Sequence, residues 1–221
     1  MEQPRIIPLR RPPQLSVLEG RYVPQGVPLD QVESAWQALL KRVPRAFDGP
    51  LLHVMGTSRN GHGGVQLHCV ESSYRFYAVT KEGVDAGMRP LGVKGICLAE
   101  DGSVLMARRS AHTLHYPRQW EFAPGGTMEP GVTPSQMLLR ELKEETGWRA
   151  LSPPVARALL YDPVVRSWEV VFSVRAAPPD VAVEGWECDE LRLVQPGQWP
   201  EPMSAVSRQM LPLVRSLLHA H

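Results

Sequence analysis

Glu141, Glu144 and Glu145 stand at spacings of three, one and four along the chain. On a helix, residues three or four apart share a face, so all three carboxylates can converge on one edge. Like charges held that close repel one another. A cation must neutralise them or water must solvate them fully, which leaves a metal site and a wet surface as the two readings, and a charge run is usually the second. Just ahead lies Pro124-Gly125-Gly126, whose glycines free the backbone to adopt unusual dihedrals and to turn a carbonyl toward a metal. Carboxylate and carbonyl oxygens are the donors that hard divalent cations prefer. Mg²⁺, with Mn²⁺ as a substitute, keeps several waters and takes few protein ligands. Such a cation suits hydrolysis of a diphosphate, because attack by water builds negative charge on phosphoryl oxygens.

These carboxylates need a helix to carry them, and its signals are local. Thr133 is placed to cap the N-terminus, Pro134 suits the first helical position and Gly147 suits the stop, so a helix is expected over Pro134 to Thr146. Met137, Leu138 and Leu142 give it an apolar face that docks on a core while Glu141 and Glu145 look into a cleft. The strand Trp120-Glu121-Phe122 precedes the glycine loop.

Taken together, Gly126, Arg140-Glu141-Leu142, Glu144-Glu145 and Gly147 resemble the Nudix box: Gly, five residues, Glu, seven residues, then Arg-Glu-aliphatic-any-Glu-Glu-any-Gly. Val132 departs from it, standing where the first glutamate is usual, with Glu129 as a candidate replacement brace between loop and helix. The resemblance covers Leu91 to His221. It implies an α/β/α sandwich with a mixed sheet, metal ligation by Glu141 and Glu145 with the Gly125-Gly126 loop, a ligand or base role for Glu144, and an orienting role for Arg140. A weaker resemblance runs through Trp36, Arg45 to Pro50, Ser73-Tyr74-Arg75 and the Trp120 to Pro130 run. It is similar to Nudix proteins related to the UDP-glucose pyrophosphatases, which implies a UDP-sugar cleaved to UMP and a sugar phosphate. ADP-ribose, NADH and thiamine diphosphate are the alternatives among capped diphosphates. Val132 keeps open a different class, a sensing domain that binds a nucleotide without turning it over.

Arg108, Arg109, His112, His115, Tyr116 and Arg118 precede the glycine loop. With Glu121 on the next strand, they are candidates to bind phosphates or a ring, although most such residues on an ordinary loop are simply solvated. Glu187, Asp189 and Glu190 form a later acidic cluster, of which Glu187 or Glu190 is the candidate additional acid.

The remaining sequence bounds the architecture. The chain of 221 residues has 24 Lys and Arg against 23 Asp and Glu, a net charge near +1 that favours no nucleic-acid partner. No apolar run of membrane length and no secretory h-region is present, which points to a cytoplasmic protein; the Nudix resemblance implies a small-molecule nucleoside diphosphate derivative as partner and a possible homodimer. Cys69, Cys97 and Cys188 are too few and too scattered for a disulfide framework or a zinc site and read as buried small hydrophobes. His53 and His68 sit in apolar runs and read as structural.

Met1 to Pro28 is proline-rich and should be extended. A helix is expected from Asp30, with Asp30 and Glu33 as a capping box and Val32, Trp36, Leu39, Leu40 and Val43 as its apolar stripe. Leu51 to Met55, Val65 to Val70 and Tyr74 to Ala78 read as strands, and Lys81 to Pro90 as a linker. Beyond it come strands Val93 to Leu98 and Val104 to Arg108 around the Asp101-Gly102 turn, then Val155 to Tyr161, Trp168 to Arg175 and Glu190 to Val194, and a closing helix Ser204 to Leu218. The expected class is α+β: a small α+β subdomain over 1–85, then a sheet between helices over 86–221.

Overall fold

The computed structural model describes residues 5–180 and 185–218, so the first four residues of the extended segment lie outside the described residues. Twelve strands form: β1 (Arg5–Pro8), β2 (Gln14–Arg21), β3 (Pro50–Arg59), β4 (Val65–Ser73), β5 (Leu91–Leu98), β6 (Val104–Arg109), β7 (Trp120–Phe122), β8 (Gly125–Thr127), β9 (Arg149–Ala150), β10 (Val155–Asp162), β11 (Ser167–Ala177) and β12 (Cys188–Val194). Four α-helices join them: α1 (Leu29–Arg42), α2 (Tyr74–Ala78), α3 (Pro134–Thr146) and α4 (Ala205–Leu218).

The large sheet runs β1-β10-β11-β5-β6-β12, with β7 on β6, β8 on β5 and β9 on β11. Its centre, β11 beside β5, is parallel, while the pairs around it are antiparallel. Both faces are covered, so the central strands are apolar on both sides rather than alternating apolar and polar. Val170 and Phe172 of β11 pack with Met137 and Leu138 of α3, whereas Val171 between them packs with Val206, Met210 and Val214 of α4. The period of two along a strand thus places the helices on opposite faces, and the expected α+β arrangement of a mixed sheet between helices is what forms.

A second, three-stranded sheet, β2-β4-β3, lies N-terminal in sequence. Trp36 and Leu39 of α1 close a core with Leu51, Phe76, Val79 and Met88. Leu52, Val54 and Leu67 of the small sheet share a cluster with Val93 and Phe172 of the large one. β1 pairs with β10, Arg5 opposite Tyr161. Val84, Ala86 and Met88, in the segment read as a linker, are buried.

Two local expectations are corrected. Tyr74 to Ala78 is a helical turn, not a strand: Asp48 Oδ1 accepts from the Arg75 N–H at 2.9 Å and from the Ser73 hydroxyl, a cap supplied from far along the chain that overrides the β propensity of the aromatic residues. Asp30 and Glu33 form no capping box, since α1 starts one residue earlier, after Pro28, and Asp30 accepts instead from the neighbouring Gln31 N–H. The proline-rich start is extended as expected, and it is also hydrogen-bonded as β1 and β2. Cys69 and Cys97 are buried free thiols and Cys188 is half-buried. Among the described residues no helix is long and apolar enough to cross a membrane.

Candidate active site

α3 spans the residues its sequence signals predict. The Thr133 side chain accepts from the Gln136 N–H while the Gln136 side chain accepts from the Thr133 N–H, Pro134 opens the helix, and Gly147 closes it at φ 71°. Burial of Met137, Leu138 and Leu142, each worth roughly 1.5–3 kcal/mol, fixes the helix against the sheet and so sets the direction in which Glu141 and Glu145 emerge.

They emerge against β8. The Gly125 N–H donates to Glu145 Oε2 at 3.0 Å. A Cβ on Gly126 would meet the Glu141 carboxylate carbon at 2.4 Å, and one on Gly125 would meet Lys94 Nζ at 2.6 Å. Neither glycine has a positive φ, and both are paired to β5, Gly125 opposite Lys94 and Gly126 opposite Val93. The expectation of unusual loop dihedrals is therefore replaced by a different need for glycine: helix carboxylate and lysine approach the backbone too closely for any side chain. The Gly126 carbonyl oxygen lies beside Gly92, where a Cβ would meet it at 3.0 Å.

The three carboxylates do not converge as one group. Glu141 and Glu145 share a face, but Glu144 and Glu145 are neighbours and diverge by about 100° around a helix of 3.6 residues per turn. Glu144 is exposed outside the cleft lining. Among the described residues no three His, Cys, Asp or Glu side chains are gathered closely enough to hold a metal by themselves. Arg140 pairs with Glu129 at 2.7 Å, and Val132 packs at the edge of the apolar core. Glu129 thus supplies the loop-to-helix ion pair that Val132 cannot.

Electrostatics favour a cation here. Burial first, then the charges of Glu144 and Glu187, push the Glu141 carboxyl up to about 7. Burial and the Glu141 charge push Glu145 up to about 8. Among the described residues no Lys or Arg forms a salt bridge with either. Two carboxylates driven toward neutrality although the Arg140 and Lys94 charges oppose it fit a hard divalent ion, which would keep both ionised.

Glu141, with Gly125 and Gly126, lines a cleft of about 430 Å³, whereas Glu145 lines a small cavity of about 20 Å³ that shares Lys94, Arg109, Glu121, Gly125 and Glu187 with it. Of the other expected site residues, Arg109, Tyr116, Glu121 and Glu187 line the cleft. Arg109 lies 3.5 Å from Glu121 and 4.0 Å from Glu187, and its Nε donates to the His115 carbonyl at 3.0 Å. Tyr116 donates to Asp162 Oδ2 at 2.6 Å. Glu121 is committed to Lys94 at 2.9 Å; burial pushes its carboxyl up, but Lys94 and Arg109 outweigh this and hold it below the usual range. Arg108, one residue from Arg109, points to the other side of its strand, 3.6 Å from Glu190 and over the Trp120 ring. Glu190 is bound to Arg192 and Arg108, and Arg118 and His112 are exposed, so none of Arg108, Arg118, His112 and Glu190 lines the cleft. His115 does line it, with its ring 5.0 Å from that of Tyr77, and burial and the Lys81 charge lower its pKa to about 3.

Sequence reasoning misses Lys94, Asp162 and Glu169, which line the same cleft. Glu169 accepts from the Ser167 hydroxyl at 2.6 Å, and burial pushes its carboxyl up to about 7. Their signal is present: Lys94 and Glu169 are lone charges inside apolar strand runs, where a charge is kept only if it has a partner or a task. Phe47, Tyr74 and Trp186 also line the cleft; the first two lie in the segments that carry the weaker resemblance, while nothing in the local sequence marks Trp186.

A NUDIX domain model matches residues 88–214, more than half of the chain. This chain belongs to the Nudix family. An uncharacterized Nudix hydrolase of Pseudomonas aeruginosa is 31% identical to this Nudix chain over 96 residues, 43% of the chain and 56% of the relative. An 8-oxo-dGTP diphosphatase of Escherichia coli is 33% identical over 106 residues, 48% of the chain and 74% of the relative. A CTP pyrophosphohydrolase of the same species is 40% identical over 63 residues, 28% and 45% respectively. The chain thus spans about half the length of the first of these relatives. A bifunctional NMN adenylyltransferase/ADP ribose pyrophosphatase from Francisella tularensis shares the fold at a TM-score of 0.51, with 18% identity over 63% of this chain and 45% of that one.

Proposed function

We propose that this Nudix chain hydrolyses the diphosphate bond of a nucleoside diphosphate joined to another group, with Mg²⁺ as cofactor and Mn²⁺ as a substitute. The observation that carries the reading is the approach of Glu141 and Glu145 to the Gly125-Gly126 strand, which together with Glu141, Lys94 and Arg109 lines the cleft. Glu141 and Glu145 hold the cation; Glu144, exposed outside the cleft lining, is the weaker candidate for a further ligand or base. When bound, the cation supplies charge neutralisation for the diphosphate and orientation for the attacking water. Arg109, which lines the cleft beside Glu121 and Glu187, presents a guanidinium to phosphate oxygens. Arg140 acts at one remove, tying the loop to α3 through Glu129.

The finer reading is a UDP-sugar cleaved to UMP and sugar phosphate. Its support is the weaker resemblance of residues 32–50 and of the loop to the UDP-glucose pyrophosphatase group, together with a cleft wall built from those same N-terminal residues. The two E. coli relatives, named for 8-oxo-dGTP and CTP, favour a nucleoside triphosphate as the second reading. A panel of UDP-glucose, ADP-ribose, NADH, thiamine diphosphate, CTP and 8-oxo-dGTP with Mg²⁺ or Mn²⁺, read by product mass, separates them. UMP and glucose phosphate are expected, with on the order of 10²-fold or greater loss in Glu145→Gln. Release of diphosphate from triphosphates alone would replace the sugar reading by the second. Turnover unchanged in both Glu144→Gln and Glu145→Gln would overturn the site.

A further inference from the structure

The family match begins at residue 88, but the cleft does not. Arg45, Phe47, Tyr74 and Tyr77 contribute one of its walls, and Trp186, from the segment ahead of β12, contributes another. Two of these rings are displayed at its mouth: Phe47 is 78% exposed and Trp186 is 43% exposed. A single exposed aromatic residue needs no explanation. Two from distant segments, lining one charged cleft, do, because each keeps in water a ring whose burial would stabilise the fold.

The neighbours hold both rings in place. Phe47 lies against Gly49, where a Cβ would stand 3.2 Å from Phe47 Cε1, so glycine lets the ring rest on the backbone. The Arg45 guanidinium carbon lies 6.0 Å from the centroid of the Trp186 ring, so a cation from the N-terminal segment reaches the later loop. The same cleft is lined by Arg109, which is mostly buried, and by the glycine strand with Glu141. The cleft therefore offers flat apolar surfaces outside and charge inside. A molecule with a planar heteroaromatic ring at one end and phosphates at the other matches that order, since a base stacks on an aromatic side chain while phosphates seek guanidinium and metal.

We propose that Phe47 and Trp186 form the stacking platform for the base of the bound nucleotide, which makes the segment ahead of residue 88 part of the surface that selects the ligand. This rests on the nucleotide part of the proposed function and on neither the sugar nor the bond cleaved. The platform reads the flat face of a ring, so it accepts more than one base.

The test is equilibrium binding of UMP, AMP and inorganic diphosphate to the full chain with Mg²⁺, for the wild type, Phe47→Ala, Trp186→Ala, and the conservative Phe47→Tyr and Trp186→Phe. Loss of a stacked base should weaken UMP and AMP about tenfold or more in each alanine variant, leave inorganic diphosphate within about twofold, and be restored by the aromatic replacements. Equal nucleotide affinity in wild type and both alanine variants would overturn the platform. So would a parallel loss of inorganic diphosphate, or a wild type that binds neither nucleotide. Ring-dependent binding of UMP and AMP alongside a failure to cleave UDP-glucose would uphold the platform and refute only the sugar reading.

Discussion

Single side chains near the cleft differ in what their surroundings ask of them. Glu121 and Glu145 are both acids beside β8, yet Lys94 and Arg109 keep the first ionised while burial drives the second toward its neutral form. The same reasoning applied to a histidine gives a stability prediction. His53 is buried, its Nδ1 accepts from the Arg89 N–H at 2.9 Å, and burial together with the Arg89 charge lowers its pKa to about 4. The folded state therefore favours the neutral ring, and the unfolded state protonates it near 6.5. Its contribution is fully present above pH 6.5 and is lost as pH falls toward 4, a loss on the order of 3 kcal/mol. Melting temperature should fall with pH across that window in the wild type and fall less steeply in His53→Asn. Identical slopes would show that the ring does not titrate with folding. The expectation of a structural role for His53 rested only on its apolar neighbours; the backbone donor that fixes its tautomer comes from Arg89, far along the chain, where no local pattern could reveal it.

At the scale of an element, α3 was legible from end to end because its cap, its first proline, its apolar stripe and its stop are all local. The glycine segment was legible as glycine but not as a strand. Its pairing with β5 and the approach of Lys94 and Glu141 are tertiary facts that a window of sequence does not contain. The same holds for α2, where Asp48 decides the conformation from a distance. The Glu129–Arg140 pair joins loop and helix with both side chains more than a third exposed, so its stabilising effect is about 0–1 kcal/mol. Its effect on turnover should be larger, because it holds the loop in position. Glu129→Gln and Arg140→Gln should each lower kcat severalfold with little change in melting temperature, and the double variant should be no worse than the poorer single one. Additive losses in a double-mutant cycle would show that the two residues act separately.

For the whole molecule, sequence pattern conveyed the order of elements and the sheet between two helices, but not how its first third attaches. The division at residue 85 follows composition and turn signals, and we retain it as a proposal. The apolar contacts cross it. Leu52, Val54 and Leu67 lie in one cluster with Val93, Leu159 and Phe172, and Val84, Ala86 and Met88 are buried between the two sheets' sequences. Surfaces that share a core should melt together. We expect one cooperative thermal transition, with calorimetric and van't Hoff enthalpies in agreement and Trp36 and Trp148 reporting the same midpoint. Two resolved transitions would show that residues 1–85 are stable apart from the rest.

The pairing of Arg5 with Tyr161 carries a consequence for the chain as it is made. β1 leaves the ribosome well before β10, yet β10, the neighbour of β11 in the sheet's interior, is the strand that completes it. Until Val155 to Asp162 has emerged, that early strand has no partner in the large sheet and its backbone groups remain open to other pairings. Contacts so far apart in sequence form late and slowly. Pro8 ends this strand and removes one hydrogen-bond donor from it, and Pro12 and Pro13 keep the segment that follows from extending it as a ladder. The sequence that first reads as merely extended thus also limits what the newborn strand can join before its proper neighbour arrives.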